Sequence, residues 1–135
     1  MSKLGFIGLG IMGAPMAGHL IAAGHTVYLQ TRNKVPATLI DAGGIACATA
    51  QEVAEQADIV FMMLPDTPDV EAVLFGKTGV ASGLANSKAK GKVVVDMSSI
   101  SPMETKRFAK AINDLGCDYL DAPVSGGEVG AKAAS

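Results

Sequence analysis

Two uninterrupted apolar runs constrain the fold of this chain more than any other feature of its sequence. Residues 59–64 read IVFMML and residues 92–96 read KVVVD, and the apolar part of each run lacks alternation with polar side chains. Strands that are buried on both faces have this pattern, whereas strands with one wet face alternate. We therefore predict that both runs are inner strands of a mostly parallel sheet covered by helices on both sides.

Further strands and helices are predicted around these runs. Short apolar or β-branched segments predict strands over residues 3–7, 26–31, 45–47 and 117–121. Apolar residues at helical spacing predict helices over residues 11–23, 35–42, 50–56, 67–75 and 102–115. Thr49 is the expected cap of the third helix, with Glu52 in position for a capping box, and Ser101 is the expected cap of the fifth.

The stretch from residue 76 to 91 is small, polar and lysine-bearing, with a weak apolar seam at Val80 and Leu84. It predicts a surface excursion with room for one helical turn. Elsewhere strands alternate with helices, which favours one doubly wound α/β domain of Rossmann type over residues 1–135.

The composition supports an aliphatic core and excludes several classes of function. Hydrophobic residues make up 49% of the 135 but aromatic residues only 4%, so Val, Ile, Leu, Ala and Met must fill the core. A net charge of −2 without long blocks of like charge argues against nucleic-acid binding. Cys47 and Cys117 lie far apart with no neighbouring histidine, so we expect buried thiols and no metal site.

The N-terminal region is unlike a signal peptide. Glycines interrupt its apolar run, and Lys3 is the one basic residue ahead of that run. No apolar stretch in the sequence is long and continuous enough to span a bilayer. We expect a soluble, cytoplasmic protein whose ligands are small molecules.

A glycine pattern separates the first predicted strand from the first helix. It consists of Gly8, Leu9, Gly10, Ile11, Met12 and Gly13, and it matches the dinucleotide-binding fingerprint G-x-G-x-x-G in the required context. The first glycine permits a tight turn, the second lets the backbone approach a pyrophosphate, and the third allows helix and strand to pack closely. The phosphates are expected on the free N–H groups of the helix. A glycine-rich turn without a ligand is the alternative.

The end of the second strand bears on the choice of nucleotide. A carboxylate at this place binds the ribose 2′-hydroxyl of NAD, but Thr31, Arg32 and Asn33 stand here instead. A guanidinium can pair with a 2′-phosphate through its forked donors. We therefore expect NADP or NAD as cofactor, with NADP favoured. The alternative is that Arg32 is a solvated cation lying along the adenine.

Three further segments follow predicted strands at the edge where such sheets bind ligands. Their candidate binding residues are Met63, Leu64 and Pro65, then Ser98 and Ser99, and finally Ser125, Gly126 and Gly127. The first group is expected to face the cofactor, the second offers hydroxyls, and the third offers a hydroxyl and free backbone N–H groups for a carboxylate. Strand termination, helix capping and a simple turn are the respective alternatives.

Four segments resemble the β-hydroxyacid dehydrogenase family. They read GFIGLGIMGAPMAGHLIAAGH, MLPDTPDVEAVLFG, VVDMSSISPMETKRFA and DYLDAPVSGGEVGA, and the resemblance extends from Lys3 to about Ala134. Members of this family interconvert a hydroxy acid and its semialdehyde with NAD(H) or NADP(H). The resemblance implies that the segment from Gly8 to Gly13 holds the pyrophosphate.

The resemblance also implies roles for residues at the other strand ends. Leu64, Pro65 and a hydroxyl at Ser98 or Ser99 would lie near the ribose and nicotinamide. The Ser-Gly-Gly segment at 125–127 would bind the substrate carboxylate. Two features depart from the family pattern: the second strand lacks the acid that some members carry, and residues 80–91 form a longer stretch than the usual loop.

Family members are roughly twice as long as this chain and continue into a helical domain. The resemblance places the catalytic lysine, a nearby asparagine and much of the dimer interface in that domain. We therefore expect the cofactor-binding half of a reductase, with no catalytic residue in this chain and no turnover by this chain alone. Self-association is expected through the missing domain or through exposed apolar surface.

Proton donors within this chain are poor candidates. Lys132 belongs to the loop after the substrate motif, and neither His19 nor His25 is well placed. Asp96 and Asp121 end predicted strands but are too acidic to donate near neutral pH unless strongly desolvated. A non-catalytic nucleotide-binding module and a dehydrogenase for a related acid, such as 3-hydroxyisobutyrate, are the alternative functions.

Overall fold

A computed structural model describes residues 3–9, 13–31, 35–64, 67–86, 91–98 and 102–121 of the chain. Strands and helices alternate through these residues, as the sequence predicts. The elements are β1 (Lys3–Ile7), α1 (Gly13–Ala22), β2 (Thr26–Gln30), α2 (Ala37–Asp41), β3 (Ile45–Ala46), α3 (Ala50–Gln56), β4 (Ile59–Met62), α4 (Thr67–Phe75), α5 (Val80–Asn86), β5 (Val93–Asp96), α6 (Pro102–Asn113) and β6 (Asp118–Asp121).

The six strands form one parallel sheet in the order β3-β2-β1-β4-β5-β6. The chain builds outward from β1 to one edge, then crosses over to β4 and builds to the other edge. This is the doubly wound Rossmann-type arrangement that was predicted. The order of strands reverses between β1 and β4, so a crevice is expected above their carboxyl ends.

Two apolar cores cover the two faces of the sheet. On one face, Leu4, Phe6, Val27 and Leu29 are buried beneath α1 and α2, which contributes the buried Leu39. On the other face, side chains of β4 and β5 are buried against α3, α4, α5 and α6. The buried cluster formed by these strands and helices includes Val53, Val60, Met62, Val70, Leu74, Val80, Leu84, Val94, Phe108 and Ile112. Central strands are therefore apolar on both sides, which explains their unbroken runs.

The predicted strand and helix boundaries differ from the observed ones by small amounts. The strands predicted over 26–31, 45–47, 59–64, 92–96 and 117–121 each lose one or two terminal residues, and three helices are also shorter than predicted. The N-cap of α3 is confirmed, since the Glu52 N–H donates to Thr49 Oγ1 at 3.1 Å. Ser101, the expected cap of α6, lies outside the described residues.

The surface excursion predicted from residue 76 is wrong for its middle part. Residues Val80–Asn86 form the helix α5, and both Val80 and Leu84 are fully buried. Gly83 makes this packing possible, because a Cβ there would lie 2.3 Å from the carbonyl oxygen of Gln51 on α3. The two apolar side chains are thus part of the core.

A buried lysine from another part of the chain binds the C-terminal end of α3. Lys92, only 5% exposed, extends its Nζ to the carbonyl oxygens of Ala54 at 2.9 Å and Glu55 at 3.1 Å. Carbonyls in the last turn of a helix have no partner within the helix and carry partial negative charge. The Lys92 ammonium, from the residue just before β5, therefore supplies hydrogen bonds to carbonyls at the end of α3.

Within the described ranges, no helix has both the length and the hydrophobicity needed to cross a bilayer.

Replacing Lys92 by Met should lower the free energy of unfolding by about 2 kcal/mol, because two carbonyls in the last turn of α3 lose a charged donor. Methionine keeps most of the aliphatic volume, so lost packing contributes little. Chemical denaturation measures the change, with the exposed Lys77→Met as a matched control expected within about 0.5 kcal/mol of the parent. Equal stability of both variants and the parent would show that the Lys92 contacts contribute nothing.

Candidate functional site

The carboxyl ends of four strands lie in one row. Ile7 pairs with Met62, Met62 with Asp96, and Asp96 with Asp121, across β1, β4, β5 and β6. Residues that follow these positions therefore emerge at one edge of the sheet, on both sides of the point where the strand order reverses. Open α/β sheets bind their ligands at this place.

Gly8 makes the turn at the end of β1. Its φ is +95°, a left-handed conformation that L side chains rarely adopt. A Cβ at this position would lie 2.1 Å from the carbonyl oxygen of Met63, and the Gly8 N–H donates to the Gln30 carbonyl at 3.0 Å. The glycine thus ties the ends of β1, β2 and β4 together with no room for a side chain.

Gly13 begins α1 directly against this turn. A Cβ on Gly13 would lie 2.0 Å from the Gly8 carbonyl oxygen and 3.2 Å from the Phe6 ring. The N-terminus of α1 is therefore held close to the end of β1. The first turn of α1 contains no acidic residue of its own. A helix start of this kind attracts anions such as a diphosphate.

A chain of hydrogen bonds connects the ends of β4, β5 and β6. The Leu64 N–H donates to Ser98 Oγ at 2.8 Å, and the Ser98 N–H donates to Asp96 Oδ1 at 2.9 Å. The Tyr119 hydroxyl donates to Asp96 Oδ2. Sequence reasoning placed Leu64 and Ser98 at this edge but missed the link through Asp96 and Tyr119. The acidic end of an otherwise apolar strand is the signal that could have revealed it.

Burial raises the pKa of two ionisable groups on β6, Tyr119 and Asp121. Desolvation raises the pKa of Tyr119, and the hydrogen bond to Asp96 raises it further, so the phenol remains an O–H donor. Desolvation also raises the pKa of Asp121, with a smaller contribution from the neighbouring Asp96. Both groups belong to β6 and face Asp96 at the end of β5.

The described candidate residues all lie at this edge. They are Gly8 and Leu9 after β1, Gly13 at the start of α1, Thr31 after β2, Met63 and Leu64 after β4, and Ser98 after β5. Their roles in binding remain predictions. The other candidates, Gly10, Ile11, Met12, Arg32, Asn33, Pro65, Ser99, Ser125, Gly126 and Gly127, lie outside the described residues.

The two cysteines differ in their surroundings. Cys117 is buried as predicted, but Cys47, which follows β3, is only half-buried. Burial together with the nearby Glu52 raises the pKa of Cys47 to about 11. The Cys47 thiol therefore stays protonated near neutral pH, which makes it a poor nucleophile.

The sequence matches a protein family described as the NAD binding domain of 6-phosphogluconate dehydrogenase over residues 3–135. Among curated proteins, the 2-hydroxy-3-oxopropionate reductase of Escherichia coli (strain K12) is 57% identical over 130 residues. This alignment covers 96% of the chain and 43% of the reductase.

Two solved structures are similar in fold. The Mycobacterium tuberculosis 3-hydroxyisobutyrate dehydrogenase with L-serine has a TM-score of 0.85 and 34% identity, over 100% of this chain and 44% of that one. Psf3 in complex with NADP+ and 2-OPP has a TM-score of 0.87 and 29% identity, over 96% of this chain and 45% of that one. The chain thus spans less than half the length of each of these three relatives.

Replacing Gly8 by Ala should destabilise the fold much more than replacing Gly24 by Ala. Both glycines have φ near +95° (94° for Gly24), but a Cβ on Gly24 meets nothing within 4 Å. Conformational strain alone costs about 1–2 kcal/mol, and Gly8→Ala adds a clash with the Met63 carbonyl. We expect a loss of about 3 kcal/mol or more for Gly8→Ala by chemical denaturation. Similar losses for the two variants would contradict the close approach of β1 and β4.

Proposed function

The chain belongs to the family of NAD-binding domains found in 6-phosphogluconate dehydrogenase and the β-hydroxyacid dehydrogenases, and we propose that it binds the dinucleotide cofactor of a semialdehyde reductase. The observation that carries this proposal is the turn at Gly8 with Gly13 packed on it. This arrangement presents the start of α1, free of acidic side chains, at the end of β1. A diphosphate fits such a place because backbone N–H groups at the start of a helix can bind it.

The remaining candidate residues fit the rest of a dinucleotide. We assign the ribose and nicotinamide to Met63, Leu64 and Pro65 after β4 and to Ser98 and Ser99 after β5. A bound nicotinamide would supply the hydride that reduces an aldehyde. Residues of this chain would bind and orient the cofactor, and the backbone of Gly126 and Gly127 with the Ser125 hydroxyl would hold the substrate carboxylate.

Reduction of an aldehyde also needs a proton for the developing alkoxide. We propose that this proton comes from a lysine outside this chain, which agrees with the family resemblance and with the short span of the chain relative to its relatives. The cofactor half alone would then bind nicotinamide nucleotides without turning over substrate.

The proposed reaction is the interconversion of tartronate semialdehyde and D-glycerate. Its support is the high identity to the Escherichia coli 2-hydroxy-3-oxopropionate reductase. A 3-hydroxyisobutyrate-type dehydrogenase is the second candidate, favoured by the similarity to the Mycobacterium tuberculosis structure.

Self-association is also proposed, since Leu120 on the edge strand β6 is 54% exposed.

NADP is the proposed preferred cofactor. Thr31, Arg32 and Asn33 follow β2 where an acid would repel a 2′-phosphate. Arg32 would pair with that phosphate, and the structural relative Psf3 is described with NADP+. Thr31 and Asn33 would contact the same ribose.

The parent protein should bind NADPH more tightly than NADH, and Arg32→Ala should weaken NADPH binding by about 10-fold, the effect of losing one charged hydrogen bond. Its NADH affinity should stay within about 2-fold. Cofactor fluorescence measures both dissociation constants, with Lys110→Ala in the last turn of α6 as a control cation far from the site. A folded protein that binds neither nucleotide would contradict the proposed function, and equal weakening of both would contradict the role of Arg32.

The full-length protein should oxidise NADPH with tartronate semialdehyde at a higher kcat/KM than with the semialdehyde of 3-hydroxyisobutyrate. The hydroxylated substrate is expected to be favoured because a site built to bind a hydroxyl discriminates against an analogue without it. Steady-state kinetics with both substrates decide the matter. The reverse preference would replace the first candidate function by the second.

A further inference from the structure

We infer that Asp96 is a positioning residue of the cofactor edge, which fixes the Ser98 hydroxyl and, through it, the backbone N–H of Leu64. This inference rests on the proposed function, because it assigns a task to a residue behind the proposed nicotinamide-side contacts. No contact of Asp96 with cofactor or substrate is proposed.

The carboxyl group of Asp96 has a fixed set of partners. Its side chain is 0% exposed and lies on the face of the sheet that carries Val60 and Val94. Oδ1 accepts the Ser98 N–H at 2.9 Å, and Oδ2 accepts the Tyr119 hydroxyl from β6. One oxygen therefore faces the turn after β5 and the other is anchored to the next strand.

The bond to Ser98 closes a turn from Asp96 through Met97. An aspartate that binds the N–H two residues further on sets the direction of the backbone at that point. The Ser98 side chain is only 1% exposed and has its Oγ 2.8 Å from the Leu64 nitrogen. The turn thus decides whether the hydroxyl reaches β4.

Among the described residues, the Ser98 hydroxyl has Leu64 as its partner. Its oxygen accepts the Leu64 N–H, and a hydroxyl that accepts in this way still has its own proton to donate. Leu64 and Ser98 are both proposed neighbours of the ribose and nicotinamide. A fixed Ser98 therefore provides an oriented O–H donor beside a fixed strand end, which is the preorganisation that binding sites need.

A purely structural role is a weaker explanation of this acid. Burying a carboxyl group is costly, and an apolar residue of similar volume often gives equal or better stability. The strand that ends at Asp96 is otherwise valine, so an apolar residue would continue its pattern. Asp96 has its two oxygens aimed at the turn and at the neighbouring strand, which favours a geometric task.

A double-mutant cycle on NADPH affinity tests the inference in the full chain. Asp96→Ala and Ser98→Ala should each raise the NADPH dissociation constant by about 10-fold. The double variant should also raise it by about 10-fold, and not by about 100-fold, because both substitutions break the same hydrogen-bonded link from Asp96 through Ser98 to Leu64. Asp96→Asn should stay within about 3-fold of the parent, since its amide oxygen can still accept the Ser98 N–H. Asp96→Leu replaces Asp96→Ala if the alanine variant does not fold.

The matched control is Lys92→Met, at the position just before the other end of β5. It removes a buried charged group and should lower the melting temperature while leaving the NADPH dissociation constant within about 2-fold. The inference is overturned if the NADPH dissociation constant is unchanged in either single variant, or if the two losses of affinity add in the double variant. In both cases the proposed function stands as long as the parent binds NADPH. Failure of the parent itself to bind NADPH or NADH overturns the proposed function instead.

Discussion

The approach of Gly8 to the Met63 carbonyl is the contact on which the arrangement of this domain depends. It occurs where the strand order reverses, so it joins the two halves of the sheet at their carboxyl ends. A side chain on Gly8 would push β1 and β4 apart and would also disturb the bond to Gln30 on β2. The position of α1 follows from this contact, because Gly13 rests on the Gly8 carbonyl.

In the second half of the sheet, β4 to β6, buried polar groups connect both ends of β5 to neighbouring elements. Among the described residues, the buried polar or charged side chains are Lys92, Asp96 and Ser98. Lys92 precedes β5 and satisfies the end of α3, whereas Asp96 and Ser98 connect the other end of β5 to its two neighbours. Each of the three has a hydrogen-bond partner, which removes the large cost of burying an unpaired polar group. The strand β5 is therefore connected to neighbouring elements at both of its ends.

The fold could be predicted from sequence because its signals are local. Unbroken apolar runs, the glycine pattern after β1 and the cap at Thr49 each depend on neighbouring residues, and all describe the observed elements. The helix α5 was missed because its stability comes from packing on α3, whereas its own short sequence of mostly small residues, with Gly83 inside it, is a weak helix signal. The link between Asp96 and Tyr119 was missed for a related reason, since strand order and register bring these distant residues together.

The two halves of the sheet would contribute to cofactor binding by different physical means. In the first half, the proposed phosphate site consists of backbone N–H groups, so its geometry depends on the absence of side chains at Gly8 and Gly13. In the second half, side-chain oxygens of Asp96 and Ser98 hold the end of β4 in place. Substitutions at Gly8 or Gly13 should therefore change folding and binding together, because the same contacts serve both. The second half can separate them, because a hydrogen bond can be removed there while the apolar core below it remains closed.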